Sequence, residues 1–250
     1  MFSACIDTSG NKRSPVMTMV GFVSRVGKWD RFQVQWSDLL HNHGVSRLHM
    51  TDFVASEREF KNWAGPAHSE RRKRFLEDAV ETVRKHVNKG FAISIVLSDY
   101  HEVNGQFEVQ ESIGPPFAVC GMTLLGRIKK WAERKKTDPQ KILYLIEDGD
   151  DDKGQFMTLG RASGYKIQPL AKGDSRAFEA CDMAAWKVSA ALRNAESKKG
   201  TFEDAVRSLE PIAPIVHSNS AMDMNRLILM CEQGGIPRRA PGSRRRPFRA

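Results

Sequence analysis

The sequence predicts an α/β protein: one central mixed β-sheet flanked by helices on both faces. Three observations predict it. Apolar strand-like runs alternate with amphipathic stretches along the 250 residues, and that order builds a helix-covered sheet. Residues 141–146, Lys-Ile-Leu-Tyr-Leu-Ile, are apolar enough for a buried strand. The connections are polar and poor in glycine, unlike a linker between domains. A single domain over residues 1–236 is expected, helical from about 196, with a disordered Arg-rich tail over 237–250.

Residues 2–6 are a short apolar run ending at Asp7-Thr8-Ser9-Gly10, followed by the polar Asn11-Lys12-Arg13-Ser14-Pro15. They read as a strand, its exit and a turn. Residues 16–26, rich in Val, Met and Phe, complete an antiparallel hairpin. Trp29, Phe32, Trp36, Leu39 and Leu40 recur at helical spacing, so residues 28–42 predict a helix closed by His41-Asn42-His43-Gly44. Ser69 is the expected cap of a long helix with Phe75, Leu76, Ala79, Val80, Val83 and Val87 on its apolar face and Asn88-Lys89-Gly90 as its stop. Residues 91–97 predict a strand covered on both faces. Gly114-Pro115-Pro116 breaks the chain before a helix reaching about Lys136. The strand at 141–146 runs straight into Glu147-Asp148-Gly149-Asp150-Asp151-Asp152. Residues 154–163 predict a helix, 165–170 a strand, 175–193 a helix around Asp182, and 201–231 more helix interrupted by Pro211 and Pro214.

The net charge of +9 is uneven, because residues 237–250 hold six arginines and no acid, leaving +3 on the other 236 residues. This tail reads either as a nucleic-acid arm, with Arg238, Arg239, Arg244, Arg245 and Arg246 as its contacts, or as a solubilising end. Cys5, Cys120, Cys181 and Cys231 are too far apart for a paired zinc motif and sit among apolar neighbours. Reduced, buried thiols in a cytoplasmic protein are expected. No apolar run approaches the roughly 20 residues of a bilayer-spanning helix, and the first residues lack a basic region followed by an apolar core.

Three acidic positions stand where an unpartnered acid is costly: Asp7 at one strand end, Glu147 and Asp148 at another, and Asp182 inside a helix. At helical spacing Asp182 shares a face with Phe178, Ala185, Trp186 and Ser189, which aims it at the sheet. Carboxylates converging from two strand ends and a covering helix suit Mg²⁺ or Mn²⁺, which supports in-line hydrolysis of a phosphodiester. The alternatives stay open: Asp7 as a turn cap, the acidic run as a solvated loop, Asp182 paired with a Lys or Arg.

Asp7-Thr8-Ser9-Gly10, Leu48-His49-Met50-Thr51-Asp52, Glu147-Asp148, and Asp174-Ser175 followed by Ala180-Cys181-Asp182-Met183-Ala184 resemble, in order, the motifs of RNase H-like proteins grouped as domain of unknown function 3800. The resemblance covers roughly residues 1–195. It implies an RNase H-like fold and a carboxylate-bound metal nuclease, with Asp7 as the central-strand ligand, Glu147 or Asp148 as the second and Asp182 as the ligand from the last helix. Members usually carry Glu after the first Asp, where this chain has Thr8. Asp52 in its place, a single ion, or an impaired site are the readings this leaves.

Secondary candidates are His49 as a proton shuttle three residues from Asp52, Lys172 as a phosphate contact or counter-charge, and Asp174. Arg71-Arg72-Lys73-Arg74 opens a helix, where cations are disfavoured, and reads as a solvated face or an anion contact. Asp7-Thr8-Ser9-Gly10 is not an aspartic-protease triplet, and the start of an EF-hand at Asp148 fails at Lys153 and Leu159. His41-Asn42-His43 reads as a helix end. Phosphate-loop, dinucleotide and serine-elbow motifs are absent. The expected function is divalent-metal-dependent hydrolysis of DNA or RNA, and the competing one a degenerate module that binds nucleic acid or protein. A hydrolase of small phosphorylated metabolites ranks third.

Overall fold

A computed structural model describes residues 1–10, 14–149, 152–196 and 209–240. The first apolar run forms β1 (Phe2–Ser9), which pairs antiparallel with β2 (Val16–Arg25). Gly10 makes the exit at a φ of +100°, where a Cβ would strike the Val16 carbonyl oxygen; only glycine takes that corner without strain. Asn11, Lys12 and Arg13 of the expected turn lie outside the described residues. β3 (Lys89–Val96) pairs antiparallel with β2, while β4 (Leu143–Glu147) runs parallel to β1 and β5 (Lys166–Leu170) parallel to β4. With β6 (Ser218–Met222) parallel to β3, the sheet order is β5-β4-β1-β2-β3-β6.

Helices cover both faces, as the sequence predicts. On one side lie α1 (Val26–Asn42), the short α2 (Met50–Ala55), α3 (Ser69–His86) and α8 (Arg176–Glu196), with a core including Cys5, Val20, Phe22, Trp36, Phe75 and Phe178. On the other lie α4 (Leu97–Gln106), α5 (Val109–Ser112), α6 (Pro116–Arg134), α7 (Lys153–Ala162) and α9 (Met224–Gln233), around Ile6, Met19, Ile93, Leu124, Tyr144 and Phe156. β1 feeds both cores because its side chains alternate: Ala4 and Ile6 enter one, Cys5 the other.

Several expectations are corrected. Ser69 is the first residue of α3 and makes no capping bond; His68 holds the cap position. Gly90 is not the helix stop but lies inside β3, where a Cβ would strike the Ile215 carbonyl oxygen and the Phe22 ring. The chain ends α3 at His86, and Val87 and Asn88 lead into the strand at Lys89. Residues 218–222, expected to be helical, form β6, because pairing to β3 supplies the backbone hydrogen bonds that local pattern cannot announce. Residues 201–208 lie outside the described residues. Pro237–Ala240 is not a free arm: Glu108 donates its N–H to the Pro237 carbonyl, and Arg239 donates its own to the Gln106 carbonyl. Among the described residues no helix is long and apolar enough to cross a membrane.

Candidate metal centre

Strand register assembles the site. Cys5 lies opposite Leu145 and Ile6 opposite Ile146 in the parallel β1–β4 pair. One step further, Asp7 and Glu147 are therefore neighbours on the face that α8 covers. Both are buried, at 4% and 9% exposure, as is Asp182 at 7%. α8 lies across β1, with Cys181 donating its Sγ–H to the Cys5 carbonyl at 3.3 Å.

Asp7 Oδ1 accepts the Thr8 N–H at 2.7 Å. Its Oδ2 is buried and receives no hydrogen bond from any donor among the described residues. Burial pushes the Asp7 carboxyl well above the usual range, and the charges of Glu147 and Asp182 push the same way, while Lys172 pulls against them. Asp182 is also raised by burial, with opposing pulls from the Met50 N–H, Lys172 and His49; the Met50 N–H donates to Asp182 Oδ2 at 2.8 Å. Lys172 Nζ stands 3.3 Å from Glu147 Oε1. Burial works against the charge of this lysine, but Asp7, Glu147 and Asp182 outweigh it and raise its pKa. Lys172 is thus a shared counter-charge for the three carboxylates.

Asp148, the alternative to Glu147, is one residue out of phase and points elsewhere. Its side chain is 58% exposed and pairs with Lys153 at 2.9 Å. Asp174 is exposed and closes its own turn by accepting the Ala171 N–H at 3.1 Å. Asp52 is buried, but it faces basic side chains: Oδ2 lies 3.2 Å from His49 Nδ1 and 3.9 Å from Arg47, and Oδ1 3.6 Å from Arg58. It anchors basic side chains and does not join the carboxylate cluster.

Of the proposed tail contacts, Arg238 pairs with Glu232 at 2.9 Å and covers the Phe107 ring, while Arg239 pairs with Glu111 at 2.7 Å. Arg244, Arg245 and Arg246 lie outside the described residues, as do Asp150 and Asp151. Arg71 and Arg72 are structural, stacked over Trp63 and Phe53 at 4.1 and 4.2 Å. His43 ties α1 to α3 through Asp78 at 2.9 Å.

Sequence reasoning passed over Arg47, Arg58, Arg176 and Glu179. Glu179 was findable: it lies three residues before Asp182 in an apolar helix. Its carboxylate takes the Trp36 Nε1–H at 2.9 Å, the Leu48 N–H at 2.8 Å and Arg176 at 2.6 Å.

By chemistry the donor set fits a hard divalent cation, since carboxylate oxygens are its preferred ligands and one buried Asp7 oxygen lacks a donor. Among the described residues, however, no three His, Cys, Asp or Glu side chains stand in a ready-made metal-holding group. In the arrangement seen, the lysine ammonium supplies the compensating charge.

No family model matches the chain, and no curated protein does. Among solved structures it is similar to the ribonuclease H2 from Pyrococcus horikoshii OT3, at 16% identity over 81% of this chain and 77% of that one, with a TM-score of 0.41.

Proposed function

We propose that this chain is an RNase H-like nuclease, akin to the family grouped as domain of unknown function 3800, that hydrolyses phosphodiester bonds of DNA or RNA with Mg²⁺ or Mn²⁺. The observation that carries the reading is the gathering of Asp7, Glu147 and Asp182 on the α8 face, with one buried Asp7 oxygen left without a donor. Asp7, Glu147 and Asp182 hold the ion. When bound, it would supply Lewis-acid activation of water and compensation of the charge on the phosphate. The Thr8 N–H fixes one oxygen of Asp7 and the Met50 N–H fixes one of Asp182, so the backbone orients two of the three carboxylates. Lys172 compensates their charge in the arrangement seen, and with its side chain 44% exposed it would be open to a phosphate as a counter-charge. Four free, buried cysteines suit a reducing compartment, so cytoplasmic action belongs to this reading.

The test is a panel of labelled DNA and RNA with Mg²⁺ and Mn²⁺, run beside Mn²⁺ titration calorimetry. Cleavage and Mn²⁺ uptake are expected in the native chain and lost in Asp7→Asn and Asp182→Asn. Cleavage that persists unchanged in both variants overturns the assignment. The Lys172–Glu147 pair favours a second reading, a non-catalytic nucleic-acid-binding module. Nucleic-acid binding without carboxylate-dependent metal uptake would select it.

A further inference from the structure

A cavity of about 290 Å³ adjoins the carboxylates, and its chemistry is the opposite of theirs. Arg47, His49, Arg58, Lys172, Arg176 and Glu179 line it. Of the four permanent cations, Lys172 answers Glu147, and the other three face the buried Glu179, engaged with Trp36, Leu48 and Arg176, the buried Asp52, engaged with Arg47, His49 and Arg58, and the half-buried Glu59, which accepts from Ser46 and feels the charge of Arg47. Arg47 and Arg58 keep side-chain exposures of 49% and 66%, and their distances to Asp52, 3.9 and 3.6 Å, leave their N–H groups free to take a better acceptor.

The wall is also held in place. Phe53, Phe60, Trp63 and Phe75 pack edge-on or tilted with ring centroids 5.2–6.3 Å apart, and Phe60 and Trp63 lie on the same 3-10 turn as Arg58. Lys172 belongs to both sites, since it lines the cavity and touches Glu147.

We propose that this cavity seats a backbone phosphate of a nucleic-acid strand, one beside the phosphate presented to the carboxylates. Arg47 and Arg58 contact its oxygens, and Asp52 is the positioning residue that aims both guanidinium groups. The location of the reacting phosphate rests on the nuclease reading; the binding of a strand by the cationic wall does not.

Fluorescence anisotropy in EDTA reads that binding without cleavage. The probes are labelled 12-nucleotide single strands and duplexes of DNA and RNA. The protein is the full chain bearing Arg244→Ala, Arg245→Ala and Arg246→Ala, which removes the tail's background. Adding Arg47→Ala and Arg58→Ala is expected to weaken strand binding about tenfold or more at 0.1 M salt, and to lower the single-strand log–log salt slope by about 0.7, the value for one lost phosphate contact. Arg47→Lys with Arg58→Lys retains the slope, because the charges remain. Asp52→Asn weakens binding less than the double alanine variant and leaves the salt slope unchanged, because both arginines keep their charge.

An unchanged affinity and slope in the double alanine variant overturns the proposal, as does a mononucleotide that competes as well as a strand. Mn²⁺ uptake is measured separately on the native chain. Failure of uptake removes the nuclease reading and leaves the cationic seat standing, whereas unchanged binding in EDTA removes the seat alone.

Discussion

Glu179 and Asp7 are both buried acids at the interface of α8 with the rest of the fold, yet they are treated in opposite ways. Glu179 receives an indole N–H, a backbone N–H and a guanidinium, so each of its oxygens is engaged. Asp7 receives one backbone N–H, leaves an oxygen without a donor, and lies beside two further acids. Burial alone therefore does not mark an acid as functional. The difference lies in whether the fold has already answered its charge: Glu179 fastens α8 to α1 and the Leu48 loop, whereas Asp7 is held at a cost that a ligand can relieve.

Removing Glu179 should have the largest effect. Glu179→Ala leaves the buried Trp36 indole N–H and Leu48 N–H without an acceptor, at about 1–3 kcal/mol each, and releases the half-buried Arg176. Calorimetry should show the midpoint falling by about 2–4 °C for each kcal/mol. A variant as stable as the native chain would show the two acids to be equivalent.

Asp7→Asn should shift the metal-free protein the other way, raising stability at neutral pH by about 1–3 kcal/mol, the scale of an unsatisfied buried polar group, while abolishing Mn²⁺ uptake. The pH dependence carries the same sign. The folded pKa of Asp7 is raised, so the folded state binds the proton more tightly. The metal-free native chain should lose stability as pH rises from the ordinary Asp value of about 3.9 through the raised one, and recover it on acidification. Denaturant titrations across that range should find this slope diminished in Asp7→Asn. Asp148→Ala should have the smallest effect, within about 0.5 kcal/mol, because an exposed pair with Lys153 contributes little. A loss of metal uptake in that variant would move the centre toward Asp148.

The sequence made the hairpin, the strand at 141–146 and the helix around Asp182 legible, because each carries its own periodicity over a contiguous stretch. β6 was not legible: Ser-Asn-Ser-Ala-Met has little strand character and owes its state to a distant partner. α4 follows β3 without a break signal and was missed for a similar reason. In the site, placement at apolar strand ends and on a helix face brought forward Asp7, Asp182 and the pair Glu147 and Asp148, but only the parallel register separates the members of that pair. Arg47 comes from the loop before α2, Arg58 from the 3-10 turn after it and Arg176 from the start of a helix far along the chain, and no spacing rule joins them.

The β1–β4 register has one more consequence. Tyr144 and Ile146 point into one core and Leu145 toward the other, so the strand is keyed on both sides. A single-residue deletion ahead of β4 would bring Asp148 into phase with Asp7, but only by turning tyrosine and isoleucine inside out. The apolar neighbours thereby act as a proofreader: the chain cannot misplace this carboxylate without also failing to fold.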